Sequence, residues 1–438
     1  MDVQKYQLDP VPRTVTLEDP QDDIYLSVKV GNAQIGGNKV TSNNKLIAKG
    51  DISAPTLLGK AGDYTNSEIE IETNVLDVNN LTNSCVITTT FQNQDNKILF
   101  SKIDNGNAPQ NGVASFLGKY VLKSIAIIMF CLWSFNHSVF AQATNQTIEF
   151  KNLKTPSSPG FILLDQTPSS IEKPSTPQGL GLSLLGFQQN GGAIEFAPFW
   201  LRDHANLTNE EMYNKKMPIC ENAAVSLASI KKDSSTYLAG GIRTRLFQKY
   251  SKEFIEKLDS TRKAIIDALA EGDFSTVENL RNKYETLTGN PVLSVDFAAA
   301  IAGGSKTNSY EDFELNRWAA WLSINCKLKG DNSYLTTLVR YINNEKYAGY
   351  DEKSDLLDVG LRMNYDMSKF SVSLEYLQRL NLTSETYDDF RVAAIGSYQI
   401  SDDLYITSTF GKNFTDVNNI IALAGVNFGY SKKKLKAY

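Results

Sequence analysis

Residues 359–376 read VGLRMNYDMSKFSVSLEY, and this stretch decides the fold. In the first half, VGLRMNY, every second residue is apolar, and glycine, arginine and asparagine stand between them. The second half, FSVSLEY, repeats the pattern with serine and glutamate. Neighbouring side chains of a β-strand point to opposite faces, so each half predicts a strand with one apolar and one polar face. The short turn at 366–368 predicts that the two strands form an antiparallel hairpin.

The same alternation extends on both sides of this hairpin. About 12 strands are predicted, at 179–187, 192–200, 222–231, 235–247, 291–303, 316–328, 333–343, 355–366, 369–380, 389–400, 403–412 and 418–430. Strands of about ten residues in even number are typical of outer-membrane β-barrels, whose apolar faces meet lipid. Aromatic residues near strand ends fit the girdles of such barrels: Phe199, Trp200, Trp318, Trp321, Tyr376 and Phe428. The expected fold class is therefore all-β, with an antiparallel transmembrane barrel at 179–430.

The connections give an orientation for the second half of the barrel. Short connections at 330–332, 366–368 and 401–403 alternate with longer ones at 343–354 and 382–388. Short turns of such barrels face the periplasm and long loops face outside. The first half breaks this rule, because long connections at 201–221 and 248–290 fall where short ones are expected. Either the strand count is off by one pair, or helical material decorates the periplasmic side.

Residues 251–287 form a different kind of segment. Apolar side chains recur there at helical spacing, with lysine and glutamate between them, and Gly272 interrupts the run. The pattern predicts a helical hairpin or a bent amphipathic helix inserted into the barrel. Its apolar face is expected to pack on itself or on the barrel rim, or else to dock a protein partner or cap the lumen.

A segment typical of a secretory signal peptide lies at 119–143. Lys119 and Lys123 precede an apolar run, and Ala141 and Ala143 supply the small residues before a cleavage site at Thr144. The run is about half as long as a membrane-spanning helix requires. An uncleaved anchor and a buried core helix are the alternatives.

The position of this segment is unusual, because residues 1–118 precede it. They carry short alternating β-type runs separated by glycine- and asparagine-rich turns, which predicts a small acidic β-sandwich-like domain. Three explanations are open: two joined reading frames, a start placed too far upstream, or an internal signal that leaves the first domain in the cytoplasm. The outer membrane is the expected location of residues 144–438 only.

Two further segments flank the barrel. Residues 144–178 form a Pro- and Ser-rich arm expected in the periplasm, where it could plug the lumen, dock a periplasmic or outer-membrane protein, or act as a plain linker. Residues 431–438 form a basic tail.

Composition excludes some classes of function. The 44 basic and 49 acidic residues give a net charge of -5 without a concentrated basic face, which argues against nucleic-acid binding. The four cysteines show no metal-site spacing, and we expect neither a metal nor another cofactor. Lys327, Arg362 and Glu375 are candidates for lining the lumen, either as a polar channel or as braces that fill it.

A catalytic alternative rests on residues 202–206, which read RDHAN. His204 with Asp203 could seed a His-centred hydrolase site acting on lipid or peptide. No serine in a recognisable nucleophile setting accompanies them, so a loop cluster is the favoured interpretation and no catalytic residue is assigned.

From Pro156 onward the chain resembles uncharacterised outer-membrane β-barrel proteins of Gram-negative bacteria. The residues that carry the resemblance are SSIEKPSTP at 169–177, LGLSLL at 180–185 and AIEFAPFWL at 193–201. The resemblance implies the barrel fold and a location in outer-membrane lipid, but no known activity. The expected function is a non-enzymatic barrel, either a small-solute, porin-like channel or a surface or assembly component. A soluble periplasmic β-rich binding protein is a further alternative.

Processing at the predicted site gives a direct test. If the segment 119–143 is a cleaved signal peptide, we expect the membrane-associated chain to begin at Thr144. Mass spectrometry of its N-terminal peptide measures this, and a peptide that spans Ala143 and Thr144 in the mature protein would contradict cleavage.

Overall fold

β-Branched and aromatic residues suit pleated sheets, and most of the described chain is β-structure. The computed structural model describes residues 1–124 and 192–428, with residues 159, 180, 183 and 184 between them. Within the long stretches it leaves out residues 18, 80, 110, 233–234, 289–290, 306–312, 329–332, 347–352, 368–369, 384–388, 402–403 and 413–419. The described residues form two units. The first unit holds residues 1–124, 200–215 and 251–288, and the second holds residues 192–199, 216–250 and 291–428.

The described residues of the first unit form ten strands in two sheets. The strands are β1 (Val3–Gln7), β2 (Arg13–Leu17), β3 (Asp23–Val30), β4 (Ile35–Ser42), β5 (Lys45–Gly50), β6 (Thr56–Lys60), β7 (Glu68–Leu76), β8 (Ser84–Asn93), β9 (Ile98–Asn107) and β10 (Val113–Ser124). One sheet has the order β1-β10-β7-β4-β5, with β2 also paired to β10, and the other has the order β6-β3-β8-β9. A 3₁₀ turn at Ala61–Tyr64 follows β6.

Apolar side chains from both sheets fill the space between them. The six-stranded sheet contributes buried residues from β2, β4, β7 and β10, and the four-stranded sheet contributes residues from β3, β6 and β8. The members include Val15, Val40, Ile69 and Leu122 on one side and Ile24, Leu26, Leu58 and Phe91 on the other. Two sheets sharing one core make this a β-sandwich, here called the N-terminal sandwich (residues 1–124).

The N-terminal sandwich extends beyond the predicted boundary at residue 118. Strand β10 runs to Ser124 and pairs with β7 and β2. Tyr120 and Leu122 on this strand are fully buried in the core. Lys119 and Lys123, which resembled the start of a signal peptide, therefore belong to a central strand of the sandwich. The remainder of the predicted signal segment lies outside the described residues.

Three helices of the first unit come from segments inserted between strands of the other unit. They are α1 (Asn209–Asn214), α2 (Lys252–Glu271) and α3 (Phe274–Thr288). Ser251 caps α2 by accepting a hydrogen bond from the backbone N–H of Phe254, and Gly272 ends it in the left-handed conformation at φ 73°. Helices α2 and α3 are the helical hairpin that the apolar spacing predicts. None of the described helices is long and apolar enough to cross a membrane.

The two helices of the hairpin pack on each other, as one of the expectations had it, and their apolar faces also pack against the N-terminal sandwich, which the sequence did not predict. One hydrophobic cluster contains residues of the sandwich and of both helices: Ile35, Leu76, Val113, Leu258, Ile265, Ile266, Ala268, Leu269, Val277 and Tyr284. The apolar stripe of α2 did not indicate its partner, because periodicity shows that a face is buried and not what covers it.

The second unit is one antiparallel sheet of eleven described strands that pair in chain order. They are β11 (Gly192–Phe196), β12 (Ala224–Lys232), β13 (Ser235–Lys249), β14 (Leu293–Ser305), β15 (Glu314–Lys327), β16 (Ser333–Lys346), β17 (Lys353–Met367), β18 (Phe370–Asn381), β19 (Asp389–Ser401), β20 (Leu404–Lys412) and β21 (Ile420–Phe428). A 3₁₀ turn at Pro198–Leu201 follows β11.

Eleven of the predicted strands have a counterpart in this sheet, but the predicted strand at 179–187 does not. Its described residues, Leu180, Ser183 and Leu184, are helical. The alternation in GLGLSLL suggested a strand, but a short apolar run does not distinguish a strand from a helix.

The two long connections leave the sheet from one end. Residues 197–223 join β11 to β12, and residues 250–292 join β13 to β14. In an antiparallel meander every second connection lies at the same end of the sheet, so the short connection 368–369 shares that end with them. The irregular loop lengths therefore reflect inserted material, α1 to α3, at the end that has short turns elsewhere.

A buried carboxyl group makes the stability of the first unit depend on pH. Burial raises the pKa of Asp77 to about 7, although hydrogen bonds from Gln34 and Asn111 and the charge of Arg281 oppose the shift. The folded state then holds the proton more tightly than the unfolded state. The free energy of unfolding should fall as pH rises from about 4 to about 7, by at most about 4 kcal/mol.

Hydrogen exchange of the β7 amides in the full chain, corrected for intrinsic exchange rates, measures this dependence. The Asp77→Asn variant, which cannot ionise, should show a flatter profile over the same range. An equally steep profile in that variant would assign the effect to another group.

Candidate functional site: the polar face of the eleven-stranded sheet

The two faces of the second unit reverse the arrangement of a water-soluble sheet. On β17, Asp358 and Arg362 have no exposed surface, whereas their neighbours Val359 and Leu361 are 44% and 46% exposed. The rest of β17 and the other strands continue the pattern with exposed large apolar side chains: Ile301, Trp318, Leu322, Val339, Met363, Tyr365, Leu374, Tyr376, Val392, Tyr398 and Phe410. One face is thus buried and polar, here called the polar face, and the other is exposed and apolar, here called the apolar face.

Asp358 is the centre of the first ion cluster on the polar face. Strand register places it directly opposite Arg340 of β16 and Arg379 of β18. Arg340 Nε donates to Asp358 Oδ2 over 2.9 Å, and the second guanidinium nitrogen of Arg340 contacts the same oxygen. Arg379 donates through Nε to Oδ1 over 2.7 Å and through Nη2 to Oδ2 over 2.9 Å. Both carboxylate oxygens are therefore paired with guanidinium groups.

Glu375 is the centre of a second cluster on the same face, four residues along β18 from Arg379. It lies opposite Arg362, with 3.3 Å between Arg362 Nη1 and Glu375 Oε1. Arg391 approaches the other carboxylate oxygen to 3.6 Å. Arg362 also donates to Asn364 Oδ1 over 2.8 Å and to Ser373 Oγ over 3.0 Å. This network joins strands β17, β18 and β19 across the polar face.

Two more ion pairs lie on earlier strands. Arg243 donates to Glu195 over 2.9 Å, and Arg245 donates to Asp296 over 2.8 Å. Asn325 extends the second pair by donating to the other oxygen of Asp296 over 3.0 Å. Cross-strand pairs of opposite charge thus recur from β11 to β19, so the polar face is internally neutralised over much of its width.

The polar face, which holds these ion pairs, also carries a compact buried apolar patch. It is made of small side chains with a few large ones: Ala228, Ala239, Ala298, Ala300, Ala302, Ala319, Trp321, Leu338, Ile342 and Leu377. Trp321 is only 3% exposed, so it does not belong to the exposed aromatic residues predicted for a membrane interface. Trp200 is also buried and belongs to the first unit, whereas Trp318 and Tyr376 are exposed as expected.

The predicted lumen residues have different surroundings. Arg362 and Glu375 are buried on the polar face and contact each other. Lys327 is half-buried on β15 and lies on the same face of the strand as Ser323 and Asn325. The predicted cleavage residues Ala141, Ala143 and Thr144 lie outside the described residues.

The sequence interpretation missed the cluster around Asp358. A signal was present, because Asp358 and Arg362 occupy alternate positions of one predicted strand and so share a face. Its partners Arg340 and Arg379 could not be assigned without the register of three strands, since a shift of one residue moves a side chain to the opposite face.

Asp203 and His204, the seed of the hydrolase alternative, lie in the first unit and connect it internally. Asp203 Oδ1 accepts hydrogen bonds from Ser84 Oγ over 2.7 Å and from Asn32 over 3.3 Å, and Oδ2 accepts one from Asn105 over 2.9 Å. Ser84 thus donates to Asp203, and this bond links the N-terminal sandwich to the segment 200–215. Among the described residues no group of three or more His, Cys, Asp or Glu side chains could hold a metal ion.

No protein-family model matches the chain, and no curated protein matches it. The similar solved structures include outer-membrane porins. A mutant of Rh. blastica porin is 7% identical, covers 92% of this chain and 100% of its own, and has a TM-score of 0.25. The outer membrane channel DcaP of Acinetobacter baumannii is 9% identical, covers 94% of this chain and 97% of its own, and has a TM-score of 0.27. Both are outer-membrane proteins, the class that the sequence resembles.

The ion cluster of Asp358 yields a stability prediction. Asp358→Ala removes the carboxylate from half-buried Arg340 and from buried Arg379, which should cost about 3–5 kcal/mol. Asp389→Ala is the matched control, because Asp389 pairs with Lys412 of the same sheet, whose side chain is 31% exposed. The control should lose less than half as much. Urea midpoints of the refolded chain in detergent measure both, and equal losses would show that Asp358 has no special role.

Proposed function

We propose that the second unit is an outer-membrane β-barrel whose polar face lines the interior and whose apolar face meets lipid. The observation that carries the proposal is the reversal of the two faces. Fully buried Asp358 and Arg362 alternate with exposed leucine, methionine and tyrosine on the same strand. Closure of the sheet into a barrel is part of the proposal, because only closed sheets satisfy all backbone groups in hydrocarbon.

The apolar face supports lipid rather than water as its surroundings. Leu374 and Phe410 are 60% and 63% exposed, and their neighbours extend the apolar surface over many strands. Soluble monomers rarely expose apolar patches beyond a few hundred Å². A soluble periplasmic binding protein would instead hide this face and expose the charged one.

The polar face supports a braced interior rather than an open conduit. In a water-filled channel the charged side chains of the wall would be accessible, yet Asp358 and Arg362 are not. Their charges are used in cross-strand pairs that tie neighbouring strands together. Between the two non-enzymatic roles, this favours a membrane-anchored scaffold or assembly component over a small-solute channel.

Chain connectivity supports a periplasmic location for the N-terminal sandwich. The first unit includes residues 200–215 and 251–288, which leave the sheet from the end that has short turns elsewhere. In outer-membrane barrels that end faces the periplasm. We infer that the N-terminal sandwich occupies the periplasm too, since it shares a core with these insertions. This disfavours the explanation in which an internal signal leaves it in the cytoplasm.

Two measurements on the membrane fraction test the proposal. We expect the chain in the outer membrane, with a gel mobility that changes on heating, and recovery in the soluble periplasm would contradict the barrel. In planar bilayers the folded protein should show little steady conductance, because its interior is braced. A stable porin-like conductance would replace the scaffold with the channel.

A variant pair sharpens the conductance test. Arg362→Ala combined with Glu375→Ala removes both members of a buried ion pair, and should raise conductance if these side chains obstruct the interior. Arg391, whose side chain is 19% exposed, loses its contact with Glu375 in this variant. The control is Thr337→Ala on the neighbouring strand β16. Thr337 lies between buried Thr336 and Leu338, and therefore on the apolar face, so this variant should leave conductance unchanged.

A further inference from the structure

The apolar side of α2 packs closely against strand β4 of the N-terminal sandwich. Helix α2 buries Leu258, Ile265 and Leu269 against the cluster that includes Ile35 and Leu76. At the crossing point β4 carries Gly37. A Cβ at this glycine would lie 2.8 Å from both the backbone N of Ala270 and Cβ of Leu269. The absence of a side chain is therefore what lets the helix reach the strand.

Polar bonds anchor the C-terminal end of the same helix. The buried amide of Asn74 on β7 donates to the carbonyl oxygen of Leu269 over 2.9 Å. Lys49 on β5 pairs with Glu271 over 2.9 Å at the surface. The carbonyl of Leu269, in the last helical turn, thus accepts from Asn74 in addition to the N–H of Gly272 that caps the helix. The fit thus combines apolar burial with directed hydrogen bonds.

The insertion at 200–215 contacts the sandwich at a different place, the turn between β3 and β4. Asn32 and His204 exchange two bonds: the N–H of Asn32 donates to the carbonyl of His204 over 3.0 Å, and the N–H of His204 donates to Asn32 Oδ1 over 2.6 Å. The N–H of Ala33 donates to the carbonyl of Leu207 over 2.8 Å. Gly31 again permits close approach, because a Cβ there would lie 2.6 Å from the carbonyl oxygen of His204.

A strained residue of this turn, Ala33, is also hydrogen-bonded to an insertion. Ala33 adopts a left-handed φ of 55°, which is unfavourable for a residue with a Cβ. Its carbonyl accepts from the buried amide of Asn209 over 2.9 Å, and Asn209 Oδ1 accepts from the hydroxyl of Tyr284 over 2.8 Å. One chain of bonds therefore joins the turn, α1 and α3. Strained conformations persist where the surroundings fix them from several sides.

We propose that residues 1–124 bind the two insertions, 200–215 and 251–288, as a docked partner, and that the chain between residues 124 and 200 is not needed to keep them together. The contacts have a buried apolar centre and paired buried polar groups, as stable protein interfaces do. A covalent tether adds only effective concentration to such a surface. The N-terminal sandwich then remains attached to the second unit when the chain is processed between the two parts.

Cleavage of the full chain tests the docking. A site for a sequence-specific protease is inserted after Ala143, and the unprocessed chain is refolded whole in detergent and then cut to completion. We expect both fragments to elute together in one-to-one ratio from a size-exclusion column at micromolar concentration. Separate elution of the two wild-type fragments would overturn the proposal. The result does not depend on conductance or on the role of the polar face.

Two glycine variants show whether this surface holds the fragments. Gly37→Ala places a methyl group against α2, and the fraction of N-terminal fragment retained after cutting should fall about tenfold. Gly240→Ala is the matched control. A Cβ added at Gly240 would lie 3.9 Å from the nearest atom, in the side chain of Leu227, so retention should match wild type. Hydrogen exchange of the sandwich core must be unchanged before cutting in both variants. Equal retention in the two variants would mean that another surface holds the fragments, and would overturn the proposal.

Discussion

A buried charge must be paired, and this constraint organises the second unit. Asp358 is fully buried and lies between Arg340 and Arg379, so its burial is tolerable only while strands β16, β17 and β18 keep their register. With the ion pairs fixed on one face, the alternation of the strands commits leucine, methionine and tyrosine to the other face. The exposed apolar surface, and the proposal of a lipid environment, follow from where the charges are held.

The first unit depends on a different constraint, close approach of backbones. Gly31 and Gly37 lie where the two insertions cross the N-terminal sandwich, and a side chain at either position would separate the surfaces. The insertions leave the sheet from a single end, and they contribute helices to a core that the sandwich shares. Residues far apart in the chain, such as Asn74 and Leu269, consequently form one unit.

This arrangement changes how the segment after the sandwich is understood. Lysines followed by an apolar run resemble the start of a signal peptide, yet the first of those residues complete strand β10. The pattern is local, so it does not distinguish a lysine on a strand from a lysine that precedes the apolar run of a signal peptide. A domain that shares its core with the insertions is also difficult to regard as an unrelated neighbouring protein.

Eleven strands of the second unit could be predicted from the sequence, because period-two alternation is a local property that does not depend on which strands pair. The sequence also determined the helical hairpin, since its 3.6-residue periodicity and Gly272 are equally local. Only the tertiary structure decided what each face meets. Strand register places Arg340 and Arg379 opposite Asp358. Tertiary packing places α2 against Gly37, and it buries Trp321. These outcomes depend on pairing between distant residues, which periodicity along one chain does not encode.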